Sequence, residues 1–298
     1  MDVAQTLLDL ARANGRSSVF VVGTGKNVGK TVVVRALADC AFRDGLTIAL
    51  TSVGRDGESV DITDALPKPR LFLRPGTIVA TARDILPRFP ATELLEITRL
   101  QSAAGNVVYG RVRQSGYYEL AGPPTASGIR RVIGALRSIG CDQIIVDGAV
   151  DRLAALAGGD DAVIVATGAA DALTPREAAE SIHALVAKLT IARFDPSAPF
   201  IRIAGALDAA GAARIAAAAE DRQVVVRDPT QITFSGKTFL GVAKRLALRC
   251  ERPLRVVAAT VASIGRERYF EPREFARLVA HSTGLPVFDI FAGTVVSA

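Results

Sequence analysis

The sequence contains no tryptophan, four tyrosines, two histidines and three cysteines among its 298 residues. So few aromatic side chains, with basic residues scattered along the chain, argue against a nucleic-acid-binding surface despite the net charge of +6. His183 and His281 both fall in helical patterns, so a zinc site or a serine–histidine relay is not expected. Cys40, Cys141 and Cys250 lie far apart in apolar contexts, which indicates reduced, buried thiols rather than a disulfide framework.

Long hydrophobic runs are also missing, since no apolar stretch reaches the roughly 18 residues of a membrane-spanning helix. Apolar residues make up 49% of the chain and charged residues 22%, which is typical of a globular protein. The N-terminal residues 1–5 are acidic and amphipathic, unlike a signal peptide. These features predict a cytoplasmic protein without a membrane partner.

Lysine is scarce, and its distribution points to one stretch. Of the six lysines, two fall within nine residues that follow the apolar, β-branched run 18–22. The nine residues are Gly23, Thr24, Gly25, Lys26, Asn27, Val28, Gly29, Lys30 and Thr31. A strand, a glycine-rich turn and a helix start form a phosphate cradle, because free backbone N–H groups and the helix dipole attract an anion. We therefore predict that nucleotide phosphates bind at residues 23–32, with Val32 in the first helical turn.

Particular side chains in this stretch have predicted roles. Lys30 would contact the outer phosphates and act in catalysis, and the Thr31 hydroxyl would ligate Mg²⁺. A later run of aliphatic residues, 144–146, is followed by Asp147, as in a Walker B strand. Asp147 is thus predicted to be catalytic and to bind the metal. The alternative is an ordinary strand-end aspartate before a glycine turn.

An acidic segment follows the second predicted strand (47–52). Its carboxylates are Asp56, Glu58, Asp61 and Asp64. Ligands bind at the carboxyl edge of doubly wound sheets, so one of these groups is a candidate magnesium ligand. We assign that role to Asp56, and Asp56 and Glu58 are the candidates for orienting a water molecule. The alternative is a solvated acidic loop.

The order of the patterns predicts an α/β fold with a mostly parallel sheet, flanking helices and a β-hairpin-rich insertion. We expect a nucleotide-binding domain over residues 1–205, the insertion over about 66–122, and an α/β extension or small lobe over 206–298. Within the insertion, hairpins are expected at 75–76 and 115–116, and a helical turn at 92–97.

The nucleotide loop resembles the Gly-Thr-x-x-x-Val-Gly-Lys-Thr loop of dethiobiotin synthetases and cobyrinate amidases, a branch of the P-loop proteins (the SIMIBI class). The strand-end Val-Asp-Gly-Ala at 146–149 is similar to the Val-Glu-Gly-Ala of dethiobiotin synthetases. That family's substrate lysine should follow the second strand, where this chain has Leu-Thr-Ser-Val-Gly at 50–54.

The first 170 residues also resemble the P-loop subunit of lysine aminomutase reactivases. The similar segments are 25–31, 51–58, 68–70, 75–82, 119–123 and 145–149. This resemblance implies binding of ATP and Mg²⁺, and a role in restoring an adenosylcobalamin-dependent aminomutase with a damaged cofactor. It further implies a protein partner, either the B12-dependent aminomutase or a second reactivase subunit. Relatives of this loop often form a homodimer.

Two other functions fit the same loop. One is an ATP-dependent ligase, similar to dethiobiotin synthetase, acting on a small carboxylate or amine. The other is a nucleotide-binding assembly module with little hydrolysis. In all three, Lys30 holds phosphate, and Thr31 and Asp147 hold the metal.

Replacing the loop lysine tests the phosphate cradle. The Lys30→Ala variant should keep its fold but lose the thermal stabilisation that MgATP gives to the wild type, because the charge facing the outer phosphates is removed. Differential scanning calorimetry with and without MgATP measures this effect. Equal stabilisation of variant and wild type would exclude a phosphate role for Lys30.

Overall fold

The computed structural model describes residues 2–54, 70–88, 90–148, 150–217, 221–265 and 267–297. The chain divides into two compact units: residues 1–22 with 29–155, and residues 23–28 with 156–298. Among the helices of the described residues, none combines the length and apolar character needed to cross a membrane.

The first unit is an α/β arrangement around six paired strands. Its helices are α1 (Val3–Arg12), α2 (Lys30–Arg43) and α3 (Ala126–Ser138). Its strands are β1 (Ser18–Gly23), β2 (Ile48–Ser52), β3 (Leu71–Leu73), β4 (Ile78–Ala82), β5 (Thr92–Ser102), β6 (Gly105–Val112), β7 (Gly116–Tyr118) and β8 (Gln143–Asp147). The larger sheet has the order β1-β8-β2-β4-β6-β5, and β3 pairs with β7 separately. The pairs β1–β8, β8–β2 and β2–β4 are parallel, whereas β6 pairs antiparallel with both β4 and β5.

Burial explains why these segments form strands and helices. Every residue of β1 is buried, as expected for a parallel strand covered on both faces. In α2 the buried side chains recur at helical spacing, including Val33, Val34, Leu37 and Ala41. Complete burial of a side chain such as Leu37 contributes about 1.5–3 kcal/mol. The core of the first unit therefore fixes the direction in which α2 leaves the end of β1.

The insertion contains the expected strands but not the expected connections. Gly76 does turn the chain with φ +90°, yet β3 pairs with β7 and β4 pairs with β6, so the predicted 75–76 hairpin is wrong. The 115–116 hairpin is also wrong, because β6 pairs with β5 across the turn at 103–104. Residues 92–97 belong to strand β5 instead of a helical turn. Two register shifts in the β5–β6 ladder break its period-2 pattern, which hid the strand in the sequence.

The second unit contains two sheets with their own helices. Its strands are β9 (Ala162–Gly168), β10 (Phe200–Arg202), β11 (Gln223–Val226), β12 (Ala247–Cys250), β13 (Arg255–Ala262), β14 (Val287–Asp289) and β15 (Thr294–Val296). Its helices are α4 (Pro175–Leu189), α5 (Ala209–Ala216), α6 (Gly236–Ala243) and α7 (Pro272–Thr283). Strands β9, β13 and β14 are parallel neighbours and β15 is antiparallel to β14. The predicted α/β class with a mostly parallel sheet is confirmed.

The smaller sheet of the second unit has the order β10-β11-β12 and is entirely parallel. Its core includes Leu207, Val224, Phe239 and Leu248, with Ile191 from the segment after α4. The sequence pattern predicts one helix over residues 238–248. The structure has the shorter helix α6 there, and strand β12, which was not predicted, follows it. A separate lobe beginning near residue 206 remains a prediction.

Helix α4 buries one unusual side chain. Lys188 is only 4% exposed, and burial lowers the pKa of its ammonium group. A lysine whose folded-state pKa lies below its unfolded value makes folding less favourable at neutral pH. That cost falls as the pH rises from the folded-state pKa and disappears above the unfolded value of 10.5, where the amine is neutral in both states.

The Lys188→Met variant should therefore be more stable than the wild type at pH 7 by about 1 kcal/mol, which raises Tm by about 2–4 °C. The gain should shrink as the pH approaches 10.5. Lys244→Met is the matched control, because Lys244 is exposed. Thermal unfolding measured across this pH range gives the comparison. A loss of stability in Lys188→Met at pH 7 would mean that the amine makes a stabilising contact.

Candidate phosphate-binding site

The predicted loop begins where β1 ends, and its first residues are held by the end of β9. The Thr24 N–H donates to the carbonyl of Ala166 at 2.9 Å. The Thr24 hydroxyl donates to Oγ1 of Thr167 at 3.0 Å. Farther along the loop, Val28 is buried, with 1% of its surface exposed. These contacts all lie within the second unit and anchor residues 24–28 to the carboxyl end of β9.

The loop leads into α2 through two left-handed residues. Asn27 has φ +57° and Gly29 has φ +89°. Asparagine tolerates this region better than most residues, and glycine enters it without steric cost. Gly29 is the N-cap of α2, and its carbonyl accepts from the N–H groups of Val32 and Val33.

Gly29, the N-cap residue of α2, has no side chain with which to cap the helix. Lys30 and Thr31 are the first two residues of this helix. The positive end of the helix dipole and the N–H groups of the first turn favour an anionic ligand here. The sequence pattern predicts a helix from Thr31, and α2 begins one residue earlier, at Lys30. The predicted phosphate-binding residues therefore have the backbone form of a strand, a turn and a helix start.

Asp147 ends strand β8 in the first unit. The strand register places it beside Val21 of β1 and Ser52 of β2. Its carbonyl accepts from the N–H of Val53 at 3.0 Å. The following Gly148 is tightly fitted, because a Cβ there would lie 2.9 Å from Cγ1 of Val22. Asp147 thus lies at the carboxyl ends of three neighbouring strands.

The charges of Asp147 and Lys30 interact. Burial raises the pKa of Asp147 to about 6, and the nearby Lys30 ammonium acts in the opposite direction. A carboxylate that is costly to ionise in the free protein gains from a cation placed beside it. Asp147 therefore has the chemistry of a metal ligand, and Thr31 supplies a hydroxyl oxygen of the kind that Mg²⁺ accepts.

Several residues of the second unit that the sequence reading did not select lie beside the loop. A Cβ at Gly25 would fall 2.0 Å from Oδ1 of Asp171. A Cβ at Gly168 would fall 3.2 Å from Cα of Val28. The available signal was the one that identified Asp147: polar residues at or just beyond the end of a buried strand, here Thr167 within β9 and Asp171 three residues after it.

The other predicted metal ligand, Asp56, lies outside the described residues, as does Glu58. Within the described ranges, no three histidine, cysteine or acidic side chains are grouped as a ready metal site. All three cysteines are buried and unbridged, as the sequence predicted.

Comparison with known proteins gives one sequence relative. A cyclic 2,3-diphosphoglycerate synthetase of Rubrobacter xylanophilus is 30% identical over 175 residues. The similarity covers 57% of this chain and 32% of that protein, so the chain spans about a third of the length of the curated relative it matches. No protein-family model matches the sequence.

Solved structures of the signal recognition particle receptor FtsY overlay only loosely. FtsY of Elizabethkingia anophelis is 13% identical with a TM-score of 0.28, covering 93% of this chain and 70% of that one. FtsY of Mycoplasma mycoides is 9% identical with a TM-score of 0.28, covering 94% and 75%. These values are too low to transfer any property of FtsY to this chain. The α/β assignment rests on the strand pairing of the chain itself.

The raised pKa of Asp147 predicts a pH-dependent metal requirement. Binding of Mg²⁺ needs the carboxylate, so the Mg²⁺ affinity of the nucleotide complex should be constant above pH 7 and fall as the pH drops through about 6. At lower pH the loss should approach tenfold per pH unit, since one proton competes with the metal. Isothermal titration of Mg²⁺ at several pH values measures this slope. A pH-independent affinity between pH 5 and 7 would remove Asp147 from the metal site.

Proposed function

We propose that the chain binds a magnesium–nucleoside triphosphate at the loop between β1 and α2 and transfers or releases its terminal phosphate. The observation that carries this proposal is the uncapped start of α2, reached through left-handed Asn27 and Gly29 and beginning with Lys30. Such a helix start, joined to a buried strand, favours a polyphosphate over other anions because several N–H groups and a lysine converge on it.

In this proposal, individual residues have separate roles in binding the nucleotide and transferring its phosphate. Lys30 would balance the negative charge that develops on the transferred phosphoryl group, and the first turn of α2 would orient it. Thr31 and Asp147 would hold Mg²⁺, which supplies charge neutralisation at the phosphates when bound. The group that positions the attacking nucleophile is proposed to be Asp56 or Glu58.

We infer ATP as the nucleotide and a reactivase-like role as the first candidate use of the energy. The support is the resemblance of residues 25–31, 51–58 and 145–149 to reactivase P-loop subunits. In this proposal the chain acts on a second protein, an adenosylcobalamin-dependent aminomutase, in the cytoplasm, alone or as a homodimer. The β-rich insertion, with Tyr117 57% exposed, is the proposed contact surface.

A second candidate is an ATP-dependent synthetase for a small phosphorylated acid or related carboxylate. Its support is the relative from Rubrobacter xylanophilus, whose name describes a synthetase with a doubly phosphorylated product. The missing lysine in the segment 50–54 argues against the particular chemistry of dethiobiotin synthetase.

Phosphate release from MgATP tests the proposal and separates the candidates. The purified chain should release phosphate at a low basal rate, and Asp147→Asn should lose Mg²⁺ dependence while keeping most of its affinity for free ATP. An equal loss of affinity with and without Mg²⁺ would place Asp147 outside the metal site.

The same assay is repeated with an inactivated aminomutase holoenzyme and, separately, with 2,3-diphosphoglycerate. Stimulation at least tenfold by the protein alone supports the reactivase role, and stimulation by the small acid alone supports the synthetase. Glu180→Gln is a control variant with an intact loop, since Glu180 is exposed on α4, outside the insertion. Absence of MgATP binding in the wild type would contradict the proposed function as a whole.

A further inference from the structure

A carboxylate lies against the phosphate loop where a negative charge is least expected. Asp171 follows β9 in the second unit, and a Cβ added to Gly25 would lie 2.0 Å from its Oδ1 and 2.4 Å from its Oδ2. The carboxylate therefore fills the space beside the Gly25 backbone that any other side chain at that position would occupy. Among the described residues, no cationic side chain forms an ion pair with Asp171.

Backbone contacts hold the segment that carries Asp171 close to the loop. The Asp171 N–H donates to the carbonyl of Gly168 at 3.1 Å, which curls the chain just after β9. Gly168 has Val28 of the loop against its open side, with 3.2 Å between the added Cβ and Cα of Val28. Gly265 abuts Ala169 in the same way, with 3.0 Å to its carbonyl carbon. Close backbone packing thus fixes the start of this segment.

The start of α4 fixes the other end. Thr174 and Glu177 form a capping box, in which the Thr174 hydroxyl accepts from the Glu177 N–H at 3.2 Å. The Glu177 carboxylate accepts from the N–H groups of Leu173 and Thr174 at 2.8 and 3.2 Å. Asp171 consequently sits on a short segment anchored at both ends, and its position beside Gly25 does not depend on a loose loop.

We propose that Asp171 opposes phosphate binding at the loop and thereby sets the nucleotide affinity of this chain. This inference rests on the proposed function, because it concerns the same site. A carboxylate beside the Gly25 backbone repels a phosphate group that binds to that same stretch of the loop. Binding must either displace Asp171 from Gly25 or tolerate the repulsion, and both outcomes weaken binding.

The size of the effect is limited by solvent, since Asp171 is exposed. Screening reduces the repulsion, so removal of the charge should strengthen binding by about three- to tenfold at low salt. The sign is unusual: neutralising a residue next to the predicted site increases affinity. The gain should shrink as the KCl concentration rises, because the Debye length falls to about 3 Å near 1 M salt.

Titration calorimetry with two probes, MgATP and inorganic tripolyphosphate with Mg²⁺, tests this inference. Asp171→Asn should bind both probes three- to tenfold more tightly than the wild type, because the repulsion acts on phosphates and not on the base. Glu180→Gln is the matched control: it removes the same charge from an exposed position on α4 and should leave both affinities unchanged.

Each alternative result has a definite meaning. Weaker binding of Asp171→Asn in Mg²⁺, with unchanged binding in EDTA, would make Asp171 a metal ligand and overturn the inference. Equal gains in Asp171→Asn and Glu180→Gln would show a general charge effect and also overturn it. Unchanged affinity in Asp171→Asn would do the same while leaving the proposed function intact. Failure of the wild type to bind either probe would instead remove the proposed function and the inference with it.

Discussion

The left-handed turn between β1 and α2 is the constraint on which the candidate site depends. Gly29 at φ +89° lets the chain leave a buried strand and begin a helix at Lys30 without a capping side chain. A side chain at Gly29 would add about 1–2 kcal/mol of backbone strain. The turn therefore places a lysine, a threonine hydroxyl and the positive end of a helix dipole at the start of α2. The proposed function depends on this placement.

Some charges around the turn favour phosphate binding and others oppose it. The start of α2 and Lys30 attract phosphate, while the raised pKa of Asp147 shows that burial disfavours its ionised form before a cation arrives. Asp171 adds a solvated negative charge beside Gly25. In the proposed site, phosphates and Mg²⁺ should bind most favourably together. The metal would offset the negative charges that repel the phosphates, and the phosphates would offset the positive charge of Lys30, which repels the metal. The proposed function therefore predicts cooperative binding of nucleotide and metal.

The sequence was sufficient for the parts of the fold that depend on local pattern. The strand before Gly23, the helix after the loop and the strand ending at Asp147 were all predicted, because buried parallel strands and helix starts have distinct residue signatures. The start of α2 lies at Lys30, one residue before the predicted Thr31. Strand pairing in the insertion was not, because the partners of β3 and β7 are distant in sequence and the β5–β6 register shifts twice. The sequence did not predict the position of Asp171 for a similar reason, since it is distant from Gly25 along the chain and lies beside it only in the folded protein. Both features depend on contacts between residues that are far apart in the sequence, which local sequence patterns do not reveal.

A crystal structure of the chain with Mg²⁺ and a non-hydrolysable ATP analogue is the most direct test of the central claim. The account predicts that the β- and γ-phosphates accept hydrogen bonds from the N–H groups of residues 29–31. It further predicts that Lys30 contacts the γ-phosphate, and that the Thr31 hydroxyl and Asp147 lie at the metal. A nucleotide bound elsewhere, with the loop between β1 and α2 empty, would contradict it.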